Sequence, residues 1–190
     1  MPETYAYELG TTRASVMERA TKAMDRALER AWATRTGDSA PLASPRDALT
    51  LASIVERETN RPEERARVAA VFLNRLRRGI KLQSDPTVVY GASGGIGVLD
   101  HGLTRAELDR DDPYNTYRIS GLPPGPIAMP GLAALKAVTQ PWPSEELFFV
   151  ADGYGGHLFA KTEAEHSRNV ARWRDIERQR AAQRLLPVQN

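Results

Sequence analysis

Two glutamates stand at the end of a mostly apolar segment, Leu51–Thr59, which reads Leu-Ala-Ser-Ile-Val-Glu-Arg-Glu-Thr. At ~100° per residue, Glu56 and Glu58 fall on opposite flanks of the apolar stripe, while Arg57 points outward. A carboxyl held against apolar surface has a raised pKa and can carry a proton at neutral pH, as a general acid must. Periodicity does not choose between the two glutamates, and both could also be ordinary charges at the end of a helix.

Groups suited to binding sugars follow in the segment Lys81–Tyr90. It contains the amide of Gln83 and the carboxylate of Asp85, which can bond sugar hydroxyls, together with an aromatic ring. The alternative is a capped turn, in which Ser84 or Asp85 binds backbone donors ahead of Pro86. The segment alone does not decide between these two interpretations.

A second polar and aromatic stretch contains Tyr114, Asn115 and Tyr117 and is followed by the proline-stiffened loop Gly121–Ile127. A rigid loop of this kind suits a binding groove, because little conformational entropy is lost when the ligand binds. The alternative is that the two tyrosines are core residues and that Asn115 only caps a turn.

The segment Asp152-Gly-Tyr-Gly-Gly-His157 has the composition of a hairpin turn. Asp152, His157 and His166 match no standard spacing of metal ligands, so no metal site and no cofactor are expected. The absence of cysteine excludes disulfides, a thiol nucleophile and a cysteine zinc site. No nucleophile-elbow pattern accompanies the serines.

The elements that must position these groups are mainly helical. Apolar residues recur at helical spacing, with cap or proline signals at several starts and glycine at two ends. The third helix is apolar on nearly every side, which predicts a central, buried element. Helices are predicted at 11–36, 44–59, 62–79, 131–139 and 162–184.

The hairpin predicted at 146–160 is the only sheet signal, so the fold class is α+β: a helix-dominated catalytic domain with a small antiparallel sheet near the C-terminus. Residues 82–131 show little periodicity, and so long a stretch in a compact domain is usually functional. We expect 1–43 to be an N-terminal helix and linker of the catalytic unit, 44–175 its core, and 176–190 a frayed basic tail.

Charge and hydropathy limit the partners. A formal net charge of +2 over 190 residues gives no support to nucleic-acid binding. No apolar run approaches the ~20 residues needed to cross a bilayer, and Met1 is followed by a polar segment rather than a signal peptide. The chain itself is therefore expected to be soluble, either as a cytoplasmic protein or as part of a protein whose targeting segment lies outside it.

Taken in order, eight segments resemble the endolytic murein transglycosylase family, the MltG or YceG-like proteins. Together they extend from about residue 2 to residue 173. They are Pro2–Tyr5, Leu51–Thr59, Val71–Leu76, Leu82–Val88, Tyr114–Tyr117, Gly121–Ile127, Phe149–Gly153 and Gly155–His157.

The resemblance implies a lyase that cuts peptidoglycan strands between N-acetylmuramic acid and N-acetylglucosamine and leaves a 1,6-anhydro end. It implies Glu56 as the catalytic acid and base. The candidate substrate-binding residues are Gln83, Asp85, Tyr114, Asn115, Tyr117, Asp152 and His157.

The resemblance also implies a bacterial inner-membrane protein whose catalytic domain faces the periplasm. The membrane contact would run through an N-terminal anchor absent from this chain, with a small LysM-like domain before the catalytic one. Glycan strands are the implied substrate, and peptidoglycan synthases are possible partners.

Two alternatives stay open. A true muramidase would use Glu56 as acid and Asp85 or Asp152 as a second carboxylate. A non-catalytic glycan-binding module of the cell-wall machinery would show binding without turnover.

Overall fold

The computed structural model describes residues 1–184 and confirms the α+β prediction. In this range the chain forms seven α-helices and one two-stranded antiparallel sheet, with a short 3-10 turn at Gly37–Ser39. The helices are α1 Arg13–Ala33, α2 Pro45–Glu58, α3 Arg65–Arg77, α4 Asp85–Ala92, α5 Arg105–Asp109, α6 Leu132–Thr139 and α7 Glu163–Arg184, and the strands are β1 Phe148–Ala151 and β2 His157–Ala160.

Helix α2 carries both candidate acids at its C-terminal end. Its start is fixed by a capping box, because the Ser44 hydroxyl accepts from the Asp47 amide at 3.2 Å and the Asp47 carboxylate accepts from the Ser44 amide at 3.1 Å. Its apolar face packs against α3 and α6 and is fully buried. Burial of this face holds the last turn of α2 in a fixed position relative to the rest of the core.

Helix α3 is the central helix that the sequence predicts, with Phe72 among the largest fully buried side chains. Its predicted start at Pro62 is wrong by three residues. Residues 62–64 form a turn, in which the Glu64 amide donates to the carbonyl of Arg61 at 3.2 Å, and the helix begins at Arg65. The turn frees the Arg61 and Glu64 side chains to bind the hairpin.

The stretch 82–131 contains more regular structure than its weak periodicity predicts. Helix α4 begins at Asp85, directly after the Leu82–Ser84 segment, and α5 begins with a Thr104–Glu107 capping box. Five to eight residues are too few for a helical period to stand out. The capping-box pattern was the available signal for α5.

The hairpin and α7 cover one side of the helical core. In the β1–β2 pair, Phe148 lies opposite Ala160 and Ala151 opposite His157. The Phe149 ring meets the edge of Phe72 with 5.7 Å between ring centroids, and α7 packs on both strands. The hairpin therefore belongs to the same unit as the candidate acids.

The predicted division at residue 176 falls inside a helix that continues to Arg184, while 185–190 of the predicted frayed tail lie outside the described residues. Between residues 1 and 184, no helix is both long and apolar enough to cross a membrane.

Candidate active site

A pocket of about 490 Å³ lies between the end of α2, the segment before α4, the hairpin and α7. Glu58 lines it, and so do four of the predicted binding residues. These four are Gln83, Asp85, Tyr117 and His157. They come from three distant parts of the chain, so the fold brings carboxylate, amide, phenol and imidazole groups together at one concave site.

Glu58 has the protonation behaviour of a general acid. Its side chain is largely surrounded by protein, and this burial, followed by the negative charge of Asp85, raises the pKa of Glu58 to about 8. The nearby Ser84 hydroxyl partly opposes the shift, because a hydroxyl close to the carboxyl favours its charged form. At neutral pH Glu58 therefore carries a proton, which it can donate to a substrate oxygen.

Asp85 and Tyr117 form a hydrogen-bonded pair beside Glu58. The Tyr117 hydroxyl donates to Asp85 Oδ1 at 2.6 Å. Burial and then this bond raise the pKa of Tyr117 well above its ordinary value, so the phenol remains protonated. Asp85 stands in the first turn of α4, where the helix N-terminus favours a negative charge. The pair thus keeps a fixed negative charge next to the acid.

Glu56 does not line this pocket. Its Oε2 accepts from the Gly131 amide, the N-cap of α6, at 3.0 Å, and its Oε1 lies 4.0 Å from Arg65 Nη2. A carboxylate at this place stabilises the start of α6 and ties it to α2. The assignment of Glu56 as the acid stays a prediction, and the geometry gives Glu58 the stronger case.

Tyr114 and Asn115 do not line the pocket that contains Glu58, and their role in substrate binding stays a prediction. Asn115 is 1% exposed, and its Nδ2 donates to the carbonyls of Leu108 and Arg110 at 3.0 and 2.8 Å. The Tyr114 ring packs on Tyr90, with 4.8 Å between centroids, at the edge of the core. The alternative interpretation, core packing and a turn cap, describes both residues.

Asn115 nevertheless helps to position Tyr117, a residue of the pocket. Its Oδ1 accepts from the Tyr117 amide at 3.0 Å. This bond fixes the backbone at Tyr117 and hence the direction from which the phenol reaches Asp85.

Asp152 shapes the hairpin turn rather than the pocket. Its Oδ1 accepts from the Tyr154 and Gly156 amides at 2.6 and 2.9 Å, and these bonds lower the pKa of Asp152. His157 faces the pocket, while its Nδ1 donates to Glu64 Oε2 at 2.7 Å. Glu64 therefore fixes the tautomer and orientation of the imidazole.

Two further pocket residues were not predicted to bind the substrate. Arg75 lies on the buried helix α3, and His166 lies on α7 with its ring stacked on Phe148 at 5.1 Å. A signal for Arg75 existed, since an arginine in a helix predicted to be buried on nearly all sides requires partners. Across residues 1–184, no group of three or more acidic or histidine side chains could hold a metal ion.

The model of the YceG-like family matches residues 1–172. The chain belongs to the YceG-like family. The match includes every residue that lines the pocket.

Relatives of this YceG-like chain carry a functional name. It is 40% identical over 120 residues to a Bacillus subtilis protein named endolytic murein transglycosylase, covering 63% of this chain and 32% of that protein. It is 35% identical over 176 residues to a protein of the same name from Streptococcus pneumoniae, covering 90% of this chain and 31% of that protein. The chain therefore spans about a third of the length of these relatives.

A solved structure has the same fold. The crystal structure of a yceG-like protein from Listeria monocytogenes superimposes with a TM-score of 0.74 at 33% sequence identity. The match covers 88% of this chain and 53% of the Listeria chain.

Proposed function

We propose that this YceG-like chain is a lytic transglycosylase that cleaves peptidoglycan glycan strands, with Glu58 as the catalytic acid and base. The observation that carries the proposal is the position of the Glu58 carboxyl in a pocket lined by Gln83, Asp85, Tyr117 and His157, where burial and the charge of Asp85 raise its pKa to about 8. The name of the B. subtilis and S. pneumoniae relatives supports the same reaction. The bond cleaved would be the one between N-acetylmuramic acid and N-acetylglucosamine.

The chemistry requires one group that first gives and then takes a proton. Protonated Glu58 donates to the glycosidic oxygen as the bond to C1 of the muramyl sugar breaks. The resulting carboxylate then removes the proton from the C6 hydroxyl of the same sugar, whose oxygen attacks C1. Because the attack is intramolecular, no water has to be positioned, and the product carries a 1,6-anhydro ring.

The Asp85–Tyr117 pair would assist this cycle in two ways. The negative charge of Asp85 favours the protonated form of Glu58 before the reaction. The same charge would stabilise the positive charge that develops at C1 in an oxocarbenium-like transition state. Gln83 and His157 would contact the sugar from the other pocket walls.

A muramidase is the second candidate, because Asp85 is a second carboxylate in the same pocket as Glu58. In that enzyme Asp85 would activate a water or attack C1 itself. The products separate the two reactions: a lytic cut leaves anhydro ends, whereas hydrolysis leaves reducing ends heavier by one water. A non-catalytic glycan-binding module would give neither product.

The deciding experiment is mass spectrometry of purified peptidoglycan digested by the wild type, Glu58→Gln and Glu56→Gln. We expect anhydro ends from the wild type and a fall of ~10²–10⁴-fold or more for Glu58→Gln, because the amide cannot transfer a proton. Glu56→Gln is the matched control, a change of the same size two residues away that should leave substantial turnover. Loss in Glu56→Gln with activity in Glu58→Gln would instead establish Glu56 as the acid.

We further propose that the chain acts as the catalytic part of a longer protein, since it covers about a third of the length of its named relatives. An anchor in the bacterial inner membrane would hold the catalytic domain on the periplasmic side, near peptidoglycan synthases, where each cut terminates a nascent strand. Cells carrying the Glu58→Gln change should then accumulate longer glycan strands. An unchanged strand-length distribution, or recovery of the protein from the cytoplasmic fraction, would contradict this setting.

A further inference from the structure

Gln83 has an unusual backbone in the candidate site. Among the residues described, it is the sole non-glycine with a positive φ, at 54°. Such a conformation costs ~1–3 kcal/mol and persists where the surroundings impose it. Here the Gln83 amide donates to the Thr116 carbonyl at 3.1 Å, and the next amide, of Ser84, donates to the Thr116 hydroxyl at 2.9 Å.

Arg75 fixes the same segment from inside the protein. It is 8% exposed, and its Nη1 donates to the carbonyls of Lys81 and Leu82 at 3.0 and 2.9 Å. Its Nε donates to the Leu147 carbonyl in front of β1 at 2.7 Å. The guanidinium thus joins the pocket wall before α4 to the wall formed by the hairpin.

The contact between Arg75 and Gln83 determines which atom of the amide faces the substrate. Arg75 Nη1 also lies 3.2 Å from the Gln83 side-chain oxygen. A guanidinium has only donors, so the amide oxygen must point toward it. The Gln83 Nε2 group, which bonds to no other residue in the range 1–184, is left on the exposed side with two N–H donors.

A second free donor stands beside it. Arg75 Nη2 has no hydrogen-bond partner within the described part of the chain, and it is not one of the side-chain atoms buried there without a partner. Arg75 lines the pocket and its Nη2 is not fully buried, so we count this nitrogen as a donor available to a ligand there. The pocket therefore offers N–H donors from a charged group and a neutral group, in addition to the carboxyl groups of Glu58 and Asp85.

We infer that Arg75 and Gln83 form a subsite that binds the carbonyl oxygen of a 2-acetamido group on the glycan. The inference rests on the proposed function and names the group of the substrate that this pocket binds. A carboxylate is the less suitable acceptor, because Asp85 already places one negative charge in the pocket and would repel a second. A neutral carbonyl oxygen accepts from both donors without that cost.

The test combines one variant with one change in the substrate. Gln83→Glu keeps the acceptor for Arg75 and removes the Nε2 donors, so we expect the melting temperature to be maintained. On peptide-free acetylated strands, we expect the kcat/KM of Gln83→Glu to be ~10–100-fold below that of the wild type. We expect the kcat/KM of the wild type to fall by a similar factor when the strands are N-deacetylated. On deacetylated strands, Gln83→Glu should lose little more, because the donor and its acceptor act as one unit. Gln179→Glu, which adds the same charge on the exposed face of α7, should leave the discrimination unchanged.

If the fall in kcat/KM for Gln83→Glu on deacetylated strands equals the product of the two separate falls, the variant and the deacetylation act independently. That result would overturn the subsite. So would a Gln83→Glu defect that disappears when the lactyl carboxylate of the strand is amidated rather than when the acetyl group is removed. If the wild type cleaves no glycan at all, the proposed function fails. The subsite is then tested by binding. Calorimetry in the Glu58→Gln background would give the dissociation constants of acetylated and deacetylated strands, with and without the Gln83→Glu change.

Discussion

Replacing Glu58 by glutamine should remove activity and, at high pH, stabilise the protein. A carboxyl with a pKa of about 8 in the folded state and 4.5 in the unfolded chain binds its proton more tightly when folded. Its contribution to stability is therefore present below pH 4.5 and is progressively lost as pH rises through about 8. Glutamine has no charge to bury, so the variant does not incur this loss.

The size of the effect follows from the two pKa values. At ~1.4 kcal/mol per pH unit, the difference between 4.5 and about 8 corresponds to about 5 kcal/mol as an upper limit. For a domain of this size, 1 kcal/mol moves the melting temperature by ~2–4 °C. We expect the difference in melting temperature between Glu58→Gln and the wild type to be small at pH 5 and to grow by about 5 °C or more at pH 9.

The assay is thermal unfolding by calorimetry or circular dichroism at matched ionic strength from pH 5 to pH 9. Glu56→Gln serves as the control, because it is the same change two residues away, at a partly exposed side chain outside the pocket. Parallel curves for Glu58→Gln and the wild type across this range would refute the reasoning. They would show that Glu58 is not held protonated by its surroundings.

Three further changes test other parts of the site. Asp85→Asn removes the negative charge beside Glu58, so the basic limb of the pH–activity profile should move to lower pH; an unchanged limb would show that Asp85 does not act on the acid. Asn115→Ala leaves buried carbonyls without donors and should lower the free energy of unfolding by ~1–3 kcal/mol in denaturant titrations, whereas wild-type stability would contradict its role as a cap. Gly153→Ala places a Cβ 2.8 Å from a side-chain carbon of α7 at a φ of +84°, so its melting temperature should fall, while Gly37→Ala, with open space around it, should melt like the wild type.

Local signals in the sequence were sufficient for most of the fold. The Ser44–Pro45 start of α2, the all-round apolar pattern of α3 and the glycine-rich turn between two β-rich runs each depend on neighbours within a few residues. Caps, periodicity and turn chemistry act at that range, so the helices and the hairpin could be predicted. The same reasoning missed α4 and α5, which are too short to show a period.

Only the tertiary structure distinguishes the two candidate acids. Glu56 and Glu58 flank the same stripe of α2, and nothing within the helix distinguishes them. The difference arises because α6 places the Gly131 amide against Glu56, whereas Ser84 and Asp85, at the start of α4, lie near Glu58. A pKa depends on burial and on nearby charges, and both are set by which distant segments pack around the group.

The packing of distant segments also gives Asn115 and Gln83 different environments. Both are amides in polar segments, and their types and spacing suited them equally to a sugar-binding groove. Packing turned Asn115 toward three backbone carbonyls in the interior, and a buried guanidinium turned Gln83 outward. Composition thus determined which kinds of side chain the chain could offer to a ligand. The long-range contacts of Arg75 and Thr116 decided which of these side chains reach the pocket. The sequence could not predict those contacts, because hydrogen bonds to distant backbone leave no periodic pattern in it.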